Sequence, residues 1–247
     1  AIVNARILLL LSSLVLLLWG CATPTPKPAS GVLVFQSDFG LADGAVAAMH
    51  GVALTVDPNL RLEDLTHEIP AYDTWAAAYR LRQSAAYFPA GTVFVSVVDP
   101  GVGTDRRSVV ARIGDQYFVT PDNGTLSLVG AGGISELREI DENVNRMRGS
   151  TDSHTFHGRD VYAYTGARLA AGAISFAQVG PVLNPNHALI NRLAPANASA
   201  GRVDGAVPIL DVRYGNVCTN IERAEMGVAG IEPGAELSVE IRHDNQT

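Results

Sequence analysis

Several familiar sources of function are missing from this chain of 247 residues. It has no run of Lys or Arg, and acidic residues outnumber basic ones 25 to 18, so nothing in it tracks a phosphate backbone and nucleic-acid binding is excluded as a working idea. Gly101-Val102-Gly103 is followed neither by Lys-Ser/Thr nor by the longer dinucleotide pattern, which removes a nucleotide-phosphate loop. His154 and His157 lie three apart but no Cys, Glu or third His completes a set, and His50, His67, His187 and His243 are scattered, so no metal site is expected. Cysteine is limited to Cys21 and Cys218. Cys218 sits in the apolar stretch Val217 to Ile221 and reads as a small buried hydrophobe rather than a reactive thiol. There is no internal repeat. What remains is a chain with 47% apolar residues, long enough for one large domain or two modest ones, and suited to a small ligand.

Residues 1–30 form a separate segment. Arg6 precedes an apolar run from Ile7 to Trp19, too short for a comfortable membrane span and suited to a secretory signal. The run ends at Gly20-Cys21, which resembles a bacterial lipobox, and Ala22 to Ser30 carries three prolines, as a semi-extended tether would. The expectation is a protein of the bacterial cell envelope, in contact with the membrane only through lipid on Cys21. A lipidated Cys21 leaves Cys218 without an intrachain partner. If the segment is not a functional signal, the location is cytoplasmic.

From residue 31 onward, strands and helices alternate. Gly31 to Ser37 reads as a buried strand, Ala42 to Val56 as a helix, Tyr72 to Tyr87 as an Ala-rich helix stopped by Pro89-Ala90-Gly91, and Thr92 to Val98 as the next strand. Ser108 to Ile113 and Gln116 to Thr120 flank a Gly114-Asp115 hairpin turn, and Asp160 to Ala171 reads as a helix. This alternation predicts an α/β domain over residues 31–192 with a largely parallel sheet. Ala194 to Gly205 is linker-like. Ala206 to Val212, Val217 to Ile221 and Glu236 to Ile241 then read as strands without intervening helices, so a smaller β domain, expected to be truncated, occupies residues 193–247.

Five polar clusters follow apolar runs: Ser37-Asp38-Phe39-Gly40, Asp99 to Thr104, Pro121-Asp122-Asn123-Gly124, Thr155 to Asp160 and Tyr214-Gly215-Asn216. Asp38 and Asp99 both fall just past the carboxyl ends of strands, where ligands of open α/β sheets bind. Pro100, Gly101 and Gly103 can turn the backbone so that Arg106 returns to Asp99, and together with His157 these residues could orient and polarise a water. A plainer reading fits the spacing equally well: Asp99 caps a turn, Arg106 or Arg107 is a solvated charge, and His157 packs at a helix start. Asp38 could accept two hydrogen bonds from a ribose diol, or equally cap the next helix. Asp211 and Asn216 bracket a turn and could hold the charged ends of an amino acid. Asn123 reads as a turn former.

In order and spacing the clusters resemble those of the S-adenosyl-L-methionine hydroxide adenosyltransferases, relatives of the fluorinase and chlorinase, over about Val32 to Ile221. The resemblance implies a Rossmann-like N-terminal α/β domain, a β-barrel-like C-terminal domain, and a homotrimer that binds S-adenosyl-L-methionine between subunits. It implies no cofactor and no metal, and a reaction in which water or hydroxide attacks ribose C5′ and methionine leaves. It also implies a catalytic Asp99, Arg106 and His157, a ribose-binding Asp38, Thr155 and Phe156 along the sugar, Tyr72 as an aromatic wall, and Asp211 and Asn216 on the methionine part. Asp99 favours water over halide, because a carboxylate about 4 Å from a halide costs roughly 4 kcal/mol at an effective dielectric of 20. Two other classes compete: an envelope-tethered protein that binds a nucleoside or sulfonium compound without turnover, and a metal-dependent hydrolase using the same crevice.

Overall fold

The structure, a computed structural model, describes residues 30–152 and 155–242. The expected signal, Cys21 and the expected tether fall outside the described residues, except for Ser30, as does His154. Among the described residues no helix is long and apolar enough to cross a membrane.

Strand β1 (Val32–Ser37) is buried along its whole length. Its alternate side chains serve two layers: Leu33 and Phe35 face one core, Val32 and Val34 the other. That is the pattern of a central strand covered on both sides. The strands β2 (Arg61–Thr66) and β3 (Val93–Val97) flank β1 in parallel, and β5 (Gln116–Pro121) runs parallel to β3. Strand β4 (Ser108–Ile113) pairs antiparallel with β5 and with β6 (Glu136–Glu139), and β7 (Val182–Leu183) closes the order β2-β1-β3-β5-β4-β6-β7. The expected α/β sheet is therefore parallel in its first four positions and antiparallel beyond β5. The cause is local: Ile113 pairs with Gln116 across Gly114-Asp115, and Gly114 supplies the left-handed φ of 57° that so tight a reversal needs.

Helices α1 (Ala45–Val56) and α4 (Tyr164–Ala170) cover one face, burying Met49, Ala53, Ala167 and Ala170 against Leu33, Phe35 and Val95. Helix α2 (Thr74–Ser84) covers the other face through Leu81, with stacked Phe94 and Phe118 beneath. At Gly166 the helix lies so close to the sheet that a Cβ would overlap Val95 Cγ2 and press on Leu33. Gly166→Ala gains about 0.5–1 kcal/mol of helix propensity, but overpacking costs typically 1–3 kcal/mol. The expected net result is a loss of about 0.5–2 kcal/mol and a thermal midpoint roughly 1–8 °C lower; an unchanged or higher midpoint in a melting experiment would mean that Val95 yields freely.

Three segments differ from expectation. Helix α2 begins at Thr74, because the Asp73 side chain caps it by accepting from the Ala76 N–H at 2.9 Å. Tyr72 lies outside the helix with φ of 64°, the one non-glycine residue with positive φ among those described. The helix expected from Asp160 starts earlier, as a π-helical turn over Gly158–Ala163 that runs into α4. Past residue 191, the linker-like stretch contains a hairpin, β8 (Asn197–Ser199) with β9 (Arg202–Asp204), and β10 (Ile209–Asp211) pairs with β11 (Asn216–Cys218) in a separate sheet. A short helix α5 (Arg223–Val228) follows, closed at its start by a Glu222/Glu225 capping box, and Glu236–Ile241 forms no strand. Cys218 is half-buried rather than enclosed, its Sγ 3.8 Å from the Tyr79 hydroxyl.

Candidate active site

The parallel half of the sheet delivers its carboxyl ends to one cleft of about 240 Å³, lined by Asp38, Tyr72, Asp99, Thr155, Phe156 and His157 together with Phe39, Val97 and Val102. Six of the nine side chains singled out in the sequence thus meet here. Arg106 stands directly behind two of them.

The Asp99 to Arg106 loop folds as its glycines suggest. Gly103 takes φ of 80°, and a Cβ on Gly101 would lie 3.0 Å from Arg106 Cγ, so the guanidinium is led back over the loop. Arg106 Nε donates to both Asp99 oxygens at 3.1 and 3.0 Å, and its NH2 donates to Oδ2 at 2.6 Å. Gly101 N–H adds a contact to Oδ1 at 3.2 Å. The pair is largely withdrawn from water, with side-chain exposure of 11% for Arg106 and 6% for Asp99. Arg106 NH1 donates to Ser108 Oγ at 3.0 Å, which lies 3.1 Å from the buried Tyr162 hydroxyl, and the guanidinium rests 5.6 Å above the Tyr162 ring. Although burial opposes the charge, the Asp99 hydrogen bonds hold the Arg106 pKa above its ordinary value.

His157 completes the group: Arg106 NH2 lies 2.7 Å from its Nδ1. Sequence reading missed a second cation. Arg146 NH2 lies 3.1 Å from His157 Nε2, and Arg146 is itself anchored to Glu142, one turn earlier, at 2.6 Å. The signal for it was the i,i+4 acid/base pair at the start of the short helix α3 (Glu142–Asn145). Two guanidiniums facing the two ring nitrogens oppose a third cation between them. Burial first, then the Arg106 charge, lower the His157 pKa below 6.5; Glu142 opposes them, Arg146 adds a smaller lowering, and Asp99 opposes least. The neutral ring is therefore the resident form at neutral pH, and its contribution to stability is present above the unfolded pKa and lost as pH falls through the lowered folded one. Arg146→Gln removes one of these charges and releases Glu142, two changes of the same sign. The acid limb of kcat/KM, inflecting below 6.5 in the parent, is expected to move upward in the variant; an unmoved limb in a pH-rate profile would rule out the electrostatic role of Arg146.

Asp38 is no helix cap. At the N-terminus of α1 it is Asp43 whose Oδ1 accepts from Ala45 N–H, at 2.8 Å, and Asp38 Oδ2 instead accepts from Tyr72 N–H at 2.8 Å, bracing the left-handed Tyr72 backbone at the mouth of the cleft. Phe39 and Phe156 meet edge-to-face at 5.8 Å, and Arg159 covers the Phe156 ring at 5.0 Å while ion-pairing with the fully buried Asp160. Gly158 allows this closeness, since a Cβ would come within 3.0 Å of Val97 and 3.3 Å of the Phe39 ring. Asn123 is a turn former that also fixes the strand end just before Asp99, because its Nδ2 donates to the Val98 carbonyl at 2.8 Å. Arg107 is a buttress, not a solvated charge, because it pairs with buried Asp122 and donates to the His187 carbonyl. Asp211 and Asn216 oppose each other across β10 and β11 but do not line the cleft.

Residues 33–180 match the family model described as the SAM hydroxide adenosyltransferase N-terminal domain. A protein of Salinispora tropica named (R)-S-adenosyl-L-methionine hydrolase is 46% identical over 164 residues, 66% of this chain and 60% of that protein. A Methanocaldococcus jannaschii protein of the same name is 32% identical over 87% of this chain and 74% of its own length, and a fluorinase of an Actinoplanes species is 29% identical over 83% and 76%. The crystal structure of an uncharacterized conserved protein from Thermotoga maritima superposes with a TM-score of 0.72 at 34% identity, covering 81% of this chain and 75% of that one. The chain spans 60% and 57% of the lengths of its two Salinispora relatives. By the match of its residues 33–180 and by these likenesses, the chain belongs to the SAM hydroxide adenosyltransferase family.

Proposed function

We propose that the protein hydrolyses S-adenosyl-L-methionine to adenosine and L-methionine. The observation that carries this reading is the buried Asp99–Arg106 pair, bonded to His157 on the wall of a cleft that also holds Asp38, in a chain of this family. In the reaction a water oxygen bonds to ribose C5′ as the C5′–S bond breaks. That electron pair goes to sulfur, which becomes the neutral thioether of methionine, and one water proton is released. Asp99 and His157 face the cleft and serve to orient this water, while Arg106 holds both in position and keeps His157 neutral. Asp38, with one oxygen on Tyr72 N–H, has its other oxygen for the ribose hydroxyls. Phe39 and Phe156 supply an apolar wall that limits competing solvent. Loss of the sulfonium charge along the reaction is favoured by a preorganised site of low polarity.

The active form in this proposal is a homotrimer, and the substrate lies between subunits. A cleft of about 240 Å³ falls below the roughly 300–1,000 Å³ usual for ligands of this size. The β10–β11 hairpin carries Asp211 and Asn216 beside strongly exposed apolar side chains, Val212 at 85% and Tyr214 at 76%. Seated against a neighbouring copy, the hairpin would cover those side chains and bring a carboxylate and an amide to the methionine end. The hairpins from residue 193 onward are read as part of the family's smaller β domain.

The test is mass spectrometry of the purified protein incubated with S-adenosyl-L-methionine in ¹⁸O-water. Adenosine labelled at its 5′ oxygen is the expected product. Folded protein that yields no adenosine, or adenosine without label, defeats the proposal.

A further inference from the structure

Helix α1 and strand β2 bring together three residues that the sequence leaves scattered. His50 comes from the middle of α1, Asp64 from β2, and His67 from the residue after β2 ends. In a regular strand, positions three apart face opposite sides. Here the β1–β2 register slips between Phe35 and Gln36, which pair with Asp64 and Thr66, so Leu65 is extra. The bulge turns Asp64 and His67 to the same side. Asp64 Oδ1 lies 2.8 Å from His50 Nε2 and 3.0 Å from His67 Nε2, and the three donor atoms all fall within 4.8 Å of one another.

We propose that His50, Asp64 and His67 bind a divalent first-row cation, with Zn²⁺ the ion best matched to two imidazoles and one carboxylate. Ligand atoms around tetrahedral zinc stand about 3.3 Å apart. The two imidazole–carboxylate separations need to open by only a few tenths of an ångström, and the two imidazole nitrogens already stand within 4.8 Å of each other. The second shell is already built: His67 Nδ1 lies 2.7 Å from Ser37 Oγ, which fixes the ring with Nε2 toward Asp64, and the His50 ring packs on Phe35 at 4.9 Å. The ion has an entry path, because Asp64 is 40% and His50 26% exposed, while His67 is buried beneath them. On binding, each imidazole offers its unprotonated Nε2 to Zn²⁺, the proton that Nε2 now directs at Asp64 passing to Nδ1, which on His67 can donate to Ser37 Oγ, and the remaining coordination position takes a water.

The site lies outside the cleft lining but touches the loop that carries Asp38. Ser37 Oγ accepts from Phe39 N–H at 3.3 Å, and the His67 carbonyl accepts from Gly40 N–H at 2.8 Å. An ion here pins α1, the end of β2 and the Ser37 to Gly40 turn to one point, so its first effect is on stability.

The experiment is calorimetric titration of the untagged, metal-free protein with Zn²⁺, with the visible spectrum of the Co²⁺ form and melting curves alongside. His50→Asn and Asp64→Asn serve as variants, since both positions are partly exposed and tolerate the change better than buried His67. The parent is expected to bind Zn²⁺ at this site, to show the bands of four-coordinate cobalt, and to melt about 5–10 °C higher at Zn²⁺ a hundredfold above Kd. Each variant is expected to melt near the metal-free parent and to lose at least tenfold in affinity together with the cobalt bands. Absence of binding to the parent, or binding unchanged in both variants, overturns the proposal. Neither result bears on adenosine formation, which is measured separately.

Discussion

Replacing Arg106 by Met is expected to lower stability by about 3–5 kcal/mol, the usual cost of stranding one member of a buried ion pair, and the thermal midpoint by roughly 6–20 °C for a chain of this size. The size follows from what is left behind. Asp99 keeps only the 3.2 Å contact from Gly101 N–H of the four donor contacts on its two oxygens, and it is too deeply buried for water to substitute freely. Ser108 Oγ loses a donor and the Tyr162 ring loses the cation above it. A double variant separates the stranded charge from lost packing. If the uncompensated carboxylate dominates, Arg106→Met combined with Asp99→Asn will be more stable than Arg106→Met alone, because the second change removes the buried charge. A double variant no better than the single one would assign the loss to packing against Tyr162. Arg106→Lys is expected to fall between parent and Met variant, since an ammonium keeps the charge but cannot span both Asp99 oxygens and His157 Nδ1 together.

Those elements whose signals are local were legible in the sequence. Strands β1 and β3 are continuous apolar runs, β4 and β5 are joined by a turn whose residues dictate it, and α2 is an Ala-rich stretch ended by Pro89. Strand β2 was invisible because Arg61-Leu-Glu-Asp-Leu-Thr66 sits at a sheet edge with charged residues outward, and its placement depends on pairing with β1 rather than on its own pattern. Glu236–Ile241 shows the converse: its alternation suits a strand, yet no partner strand lies beside it among the described residues. The cleft was legible because Asp38 and Asp99 follow parallel strands, and sheets of this kind gather such ends at one edge. Arg146 offered only its local i,i+4 pair with Glu142, which does not say that it faces His157; the His50, Asp64 and His67 group was not legible, since a parallel crossover and a one-residue bulge bring it together and neither leaves a spacing rule in the chain. Asp211 and Asn216 pair locally as their turn suggests, but local pairing does not say which cleft they serve.

The role assigned to His157 carries the largest expected effect on turnover. His157→Ala and Asp99→Asn are each expected to reduce kcat for adenosine formation about 10²–10⁴-fold, equivalent to roughly 3–5 kcal/mol in the barrier. KM is expected to change little, because the proposed role of both residues is to position water, not to hold S-adenosyl-L-methionine. Asp38→Asn provides the contrast: a ribose contact shared by ground and transition states should raise KM more than it lowers kcat. Additivity supplies the sharper test. Arg106 bonds to both Asp99 and His157, so the three side chains form one hydrogen-bonded unit. Once one member is lost the water is no longer oriented, and removing a second should cost little more; the double variant His157→Ala with Asp99→Asn is expected within about tenfold of the slower single variant. Losses that multiply in full would mean that the two residues act independently, and an Asp99→Asn protein that forms adenosine at the parental rate would remove the carboxylate from the mechanism and leave it as structural support for the loop.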